Sequence, residues 1–133
     1  MLTVVAAVMI LGIGMPSMAK KSDGYEGCSP GFWKNHLEDW CCYSPDDSFS
    51  AIFGAGPDVT LLEALNTGGG GADALGRHAV AALLNASHPD INYPASDAEV
   101  IEAVNTAILS DDKDMIEYTK DVLDYLNNLG CTK

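Results

Sequence analysis

The sequence predicts a mainly α fold: a small disulfide-stapled helical domain with three longer and two or three short helices. Three observations carry this expectation. No stretch alternates apolar and polar residues at period two for long enough to make a strand. Apolar residues recur instead at spacings of three and four, and most such runs follow a residue suited to cap a helix. Four cysteines, Cys28, Cys41, Cys42 and Cys131, form an even set in a short chain whose opening segment reads as an export signal.

Residues 1–19 stand apart from the rest. Fourteen of them are hydrophobic, and all 19 acidic and 7 basic residues of the 133-residue chain follow Ala19. Leu2 to Gly14 is an apolar run, and Ser17 and Ala19 supply the small residues that signal peptidase prefers, so cleavage is expected before Lys20. No Lys or Arg precedes the run. The competing expectation is a retained membrane anchor, although an uncharged stretch of about 18 residues lies at the short edge of a span. Residues 20–27 read as a flexible polar leader, and residues 28–133 as one helical domain.

Within that domain the elements follow in order. Ser29 is placed to cap a helix with Pro30 at its first position, where the missing N–H costs nothing; the helix is expected to reach about Trp40. Ser44-Pro45-Asp46-Asp47 repeats the device and opens a short helix through Phe53 that Gly54 ends. Thr60 and Glu63 have capping-box spacing and start another short helix that stops near Thr67. The glycine run 68–71 is a loop, followed by a helix over 72–86 in which Leu75, Ala79, Ala82, Leu83 and Ala86 share a face. His88 to Pro94 is a rigid link with two prolines. Ser96 and Glu99 form a second capping box, leading a helix whose Val100, Ile101, Val104 and Ile108 face inward. The final helix spans about 112–128, with Met115, Tyr118, Val122, Leu126 and Leu129 on one stripe. Gly130 is placed to end it in a left-handed turn.

Four cysteines allow three pairings. A bridge between neighbours Cys41 and Cys42 strains adjacent residues, so the expectation falls on the two pairings that tie Cys28 to one of this pair and Cys131 to the other. A zinc site is disfavoured, because the Cys-x2-Cys knuckle is absent and adjacent thiolates are awkward joint ligands.

The net charge of −12 argues against a nucleic-acid surface, since affinity for phosphate backbones rests on Lys and Arg, and against docking on anionic lipid. The glycine run lacks the Lys-Ser/Thr of a phosphate-binding loop. His36, His78 and His88 match no metal-ligand spacing, and no Gly-x-Ser-x-Gly surrounds Ser29, Ser44 or Ser87. No cofactor is expected. Calcium is the one cation that Asp111, Asp112, Asp114 and Glu117 would suit, but the EF-hand spacing is missing and acids at a helix start have an electrostatic reason of their own. Asn85-Ala86-Ser87 fits the N-glycosylation pattern. The remaining candidate is an interaction face. Phe32, Trp33, His36 and Trp40 lie at spacings of four and seven, which would stack Phe32, His36 and Trp40 along one side of a helix. The competing reading makes these side chains the core plug of a small domain, which their place beside the cysteines favours.

The segment Gly27-Cys28-Ser29-Pro30-Gly31-Phe32-Trp33-Lys34-Asn35-His36 resembles the Cys-Thr-Pro-Gly-Tyr-Trp-Lys-Asn-His signature of a family of secreted bacterial domains. The resemblance continues through residues 61–66 and the glycine run, 77–86, Asn92-Tyr93-Pro94, and Leu126-Asn127-Asn128-Leu129-Gly130-Cys131. Ser29 replaces the family's Thr and keeps a capping hydroxyl; Phe32 replaces Tyr and removes a phenol. The resemblance implies a secreted, periplasmic or cell-surface domain with no assigned chemistry. The expectation is therefore a non-enzymatic structural or interaction protein with protein partners. A membrane-anchored accessory subunit would follow if residues 1–19 are retained, and a secreted enzyme or ligand-binding module if the Trp33/His36/Trp40 face is exposed.

Overall fold

A computed structural model describes residues 24–133, so the signal or anchor expected over 1–19 and the first half of the leader expected over 20–27 lie outside the described residues. Six α-helices and no multi-residue strand are present among them. They are α1 (Pro30–Asn35), α2 (Phe49–Phe53), α3 (Leu61–Asn66), α4 (Gly71–Ser87), α5 (Asp97–Ser110) and α6 (Lys113–Asn127). None is long and apolar enough to cross a membrane.

The caps explain most of the boundaries. Thr60 and Glu63 complete a reciprocal box, with Thr60 N–H donating to Glu63 at 2.8 Å and Glu63 N–H to Thr60 Oγ1 at 3.1 Å. Ser96 and Glu99 do the same for α5 at 2.9 and 3.1 Å. Each such cap contributes about 1 kcal/mol. Two helices begin or end differently from expectation. Ser44 does not cap α2, because residues 44–47 close a turn in which Ser44 N–H donates to Asp47 and Asp47 N–H to the Ser44 carbonyl. Ser48 is the cap instead, and Gly54 ends α2 in the left-handed region as expected. The first helix stops at Asn35, not Trp40. His36 leaves helical geometry while its Nδ1–H donates to the Phe32 carbonyl at 2.8 Å, and a separate 3-10 turn spans Leu37–Asp39.

Helix α4 is the central element. Its alanines and leucines allow close approach on nearly every side, and it packs against α1, α3, α5 and α6. Every residue from Ala79 to Asn85 is buried, so the single face expected there is replaced by an enclosed second half, with Ala86 only half-buried. In α5 the buried set is Val100, Ala103, Val104 and Ala107, with Ile101 and Ile108 at the margin. In α6 the buried stripe is Met115, Thr119, Leu123 and Leu126, with Asn127 buried beside it, while Tyr118 is exposed. The stripe steps by four, four and three rather than through Tyr118 and Val122. Burying Leu123 satisfies α4 and leaves both helix tyrosines with their hydroxyls in water.

The disulfides pair in the way the sequence reading set aside: Cys28 with Cys131, and Cys41 with Cys42. The reason is tertiary. Gly27 N–H donates to the Gly130 carbonyl at 3.0 Å, an isolated antiparallel bridge that brings the Cα atoms of Cys28 and Cys131 to 4.5 Å. Cys28 is fully buried there, whereas Cys41 and Cys42 sit exposed beyond the 3-10 turn, beside the end of α4. Gly27 has no alternative residue, because a Cβ would run into the Leu126 carbonyl. Gly130 adopts φ +136 in this bridge, and Asn128, not Gly130, is the residue that caps α6. Residues 24–27 are not loose: Asn92 donates to the Gly24 carbonyl and to Glu26, and its own carbonyl accepts from Glu26 N–H.

Candidate functional site

The signature segment turns inward. Ser29 Oγ accepts from Phe32 N–H at 3.2 Å and Pro30 sits in the first turn, so α1 starts where the sequence places it. That start directs Trp33 into the core, where it is fully buried. Its indole N–H donates to Asn85 Oδ1 at 3.1 Å, and the same oxygen accepts from Cys28 N–H at 2.9 Å. Asn85 Nδ2 donates to the Cys28 carbonyl at 2.8 Å and to Asn127 Oδ1 at 3.0 Å. Every hydrogen-bonding position of this side chain is therefore used.

Asn127 extends the network in the same manner. Its Oδ1 also accepts from the Tyr93 hydroxyl at 2.8 Å, and its Nδ2 reaches the His78 carbonyl at 3.1 Å and His78 Nδ1 at 3.3 Å. Burial holds the Tyr93 phenol far above its ordinary range, which keeps it a neutral donor. Burial likewise lowers the His78 pKa, opposed by Asp124, whose Oδ1 lies 3.7 Å from Nε2. With Nδ1 accepting from Asn127, the ring proton belongs on Nε2, facing that carboxylate. No buried side-chain nitrogen or oxygen among the described residues lacks a partner.

The aromatic residues expected to form one face divide. Phe32 packs edge-on against Trp33 at 5.1 Å and lies flat on His36 at 4.2 Å. Trp40 does not join this stack, since the helix has ended; its indole donates to the Trp33 carbonyl at 3.0 Å instead. Phe32, His36 and Trp40 are each half-buried, and the cluster closes over Trp33 as a plug. His88 lies 6.0 Å from the Trp33 ring, its Nδ1 accepting from Asp90 N–H.

No family model, curated protein or solved structure matches the chain.

The acids at the last helix start are dispersed among local tasks. Asp112 caps α6 by accepting from Asp114 N–H, Asp111 ends α5 with φ +52, and Glu117 pairs with Lys120. No group of three or more His, Cys, Asp or Glu converges on a metal position among the described residues. The glycosylation pattern at Asn85 falls on a fully buried amide whose bonds a glycan would have to break. An apolar cavity does exist, between α2, α3, α4 and α5, but neither His36 nor His78 lines it.

Three participants escaped the sequence reading: Asn85, Tyr93 and Asn127. A signal for the first was present, because Asn85 is the one polar residue in the otherwise apolar run 79–86. A polar residue there requires partners. Which partners it finds is information that spacing does not carry.

Proposed function

We propose that the chain is a non-enzymatic extracellular or cell-surface protein, a structural or interaction domain that works through protein contacts. The observation that carries this reading is the inward direction of its signature. Cys28, Trp33, His78, Asn85, Tyr93, Asn127 and Cys131 spend their polar groups on one another, around a bridge that joins the two ends of the domain. Acid–base or nucleophilic chemistry needs such groups aimed with free valence at a cleft. Here they specify a rigid scaffold.

What the scaffold offers outward supports the same reading. Tyr118 and Tyr125 are 45% and 63% exposed and seven residues apart on α6, and Leu109 is 66% exposed at the end of α5. Tyrosine combines apolar area with a wet hydroxyl and is favoured at protein interfaces. Disulfides belong to oxidising compartments. Together with the apolar opening segment and the likeness of residues 27–36 and 126–131 to a secreted family, they support a place outside the cytoplasm.

The test is site-specific photocrosslinking in the producing cells, with benzoylphenylalanine at Tyr118 or Tyr125 and, as control, at exposed Asp58. A discrete adduct from the α6 positions and none from the control is expected. Equal, diffuse labelling from all three would refute the reading. Mass analysis of the mature chain bears on placement: a first residue of Lys20 supports export, and retention of residues 1–19 would replace it with an anchored accessory subunit.

A further inference from the structure

The apolar cavity has features that core packing does not explain. Its volume is about 340 Å³, within the range of small-ligand sites. Phe49, Val59 and Ile108 form its apolar walls, and Ala72, Asp73 and Gly76 of α4 line one side. Gly76 lies inside a 17-residue helix, where glycine is a poor choice. A Cβ there would meet no atom within 4 Å, so no neighbour requires the side chain to be missing. Gly76 itself borders the cavity, so the open space at this position adjoins it. On another wall Gly56, with φ +98, fits against Phe49 so closely that a Cβ would come within 2.7 Å of the ring.

Asp73 is the single ionisable residue in this lining among the described residues, one helical turn from Gly76, and it is exposed. Among the described residues no basic side chain pairs with it. The nearby cation on α4, Arg77, is turned to the Thr67 carbonyl at 2.6 Å. The site thus combines an apolar chamber, an aromatic wall and one carboxylate that no described basic side chain pairs.

We propose that this cavity binds a small hydrophobic amine, with its ammonium beside Asp73 and its apolar body against Phe49, Val59 and Ile108. None of the lining residues belongs to α6, so this site stands or falls separately from the interaction surface proposed above.

The test titrates the purified chain with phenethylamine, 2-phenylethanol and phenylacetate, followed by amide NMR shifts. Saturable shifts at Val59, Ala72 and Gly76 are expected with the amine. Binding should weaken about two- to fivefold for the alcohol, because an exposed carboxylate contributes only modestly, and further for the anion. Asp73→Asn should abolish the preference for amine over alcohol. Gly76→Leu should remove binding while helix content is kept, and the milder Gly76→Ala should weaken it. Absence of saturation at the lining amides, phenylacetate binding as tightly as the amine, or unchanged affinity in both Gly76 variants would overturn the proposal.

Discussion

Replacing Asn85 tests the scaffold most directly. Asn85→Leu keeps the heavy-atom count and branching of the side chain but removes four hydrogen bonds at once. Asn127 Oδ1 retains Tyr93, but the Cys28 N–H, the Cys28 carbonyl and the Trp33 indole N–H lose the partner they have in the buried network. An unsatisfied buried polar group costs about 1–3 kcal/mol. Three of them put the loss at roughly 3 kcal/mol or more, against a total of about 5–15 kcal/mol for a domain. Urea unfolding followed by tryptophan fluorescence is the assay, since Trp33 reports from the network itself. With a slope of about 1–3 kcal/mol per molar urea, the midpoint should fall by at least about 1 M. Asn85→Ala, which admits water, should lie between the Leu variant and the parent. Exposed Asn128, bonded only to Asp124, should change stability by less than about 0.5 kcal/mol on substitution by alanine. If Asn85→Leu unfolds within about 1 kcal/mol of the parent, the network is not what holds the ends of this domain together.

Three further outcomes follow from the same geometry. Gly27→Ala should cost more than about 2 kcal/mol, because its methyl meets a backbone carbonyl that only a shifted α6 end can vacate; thermal unfolding with an intact parent profile would contradict this. The two bridges should differ sharply. Removing Cys28–Cys131 by Ala and Ser substitution frees a 103-residue separation and should cost about 4 kcal/mol. Replacing Cys41 and Cys42 by serines opens no chain loop and should cost less than about 0.5 kcal/mol, so equal losses in denaturant would contradict the pairing. Stability should fall as pH drops below 6.5 toward the folded pKa of His78, since burial lowers that pKa and the unfolded chain takes the proton first. The contribution is fully present above 6.5, and His78→Gln should flatten this part of the curve; identical slopes would count against it.

The helix starts were the most legible part of the fold. Ser29, Thr60 and Ser96 cap where the sequence places them, because a cap is satisfied by atoms within three residues of itself. Ser44 misled for a local reason as well: its neighbour Asp47 is as good a turn acceptor as a helix starter, and the turn prevailed. The α6 stripe was displaced because the spacing admits Val122 or Leu123, and only contact with α4 selects between them. The candidate face was half legible. Phe32 and His36 do stack, as a spacing of four requires, but the break at His36 could not be read from residues that suit either geometry.

By itself the sequence determined that this is a small helical domain with disulfides, where most of its helices begin, and that its net charge is strongly acidic. Those properties depend on neighbours in the chain or on sums over it. Tertiary structure decided the rest: which cysteines meet, that Trp33 is enclosed, that Asn85 and Asn127 consume the signature's polar groups, and that Gly76 opens onto a cavity. The network and the Cys28–Cys131 bridge depend on segments some 40 to 100 residues apart arriving at one place, and the free energy of those encounters comes from packing around α4, which no local pattern records.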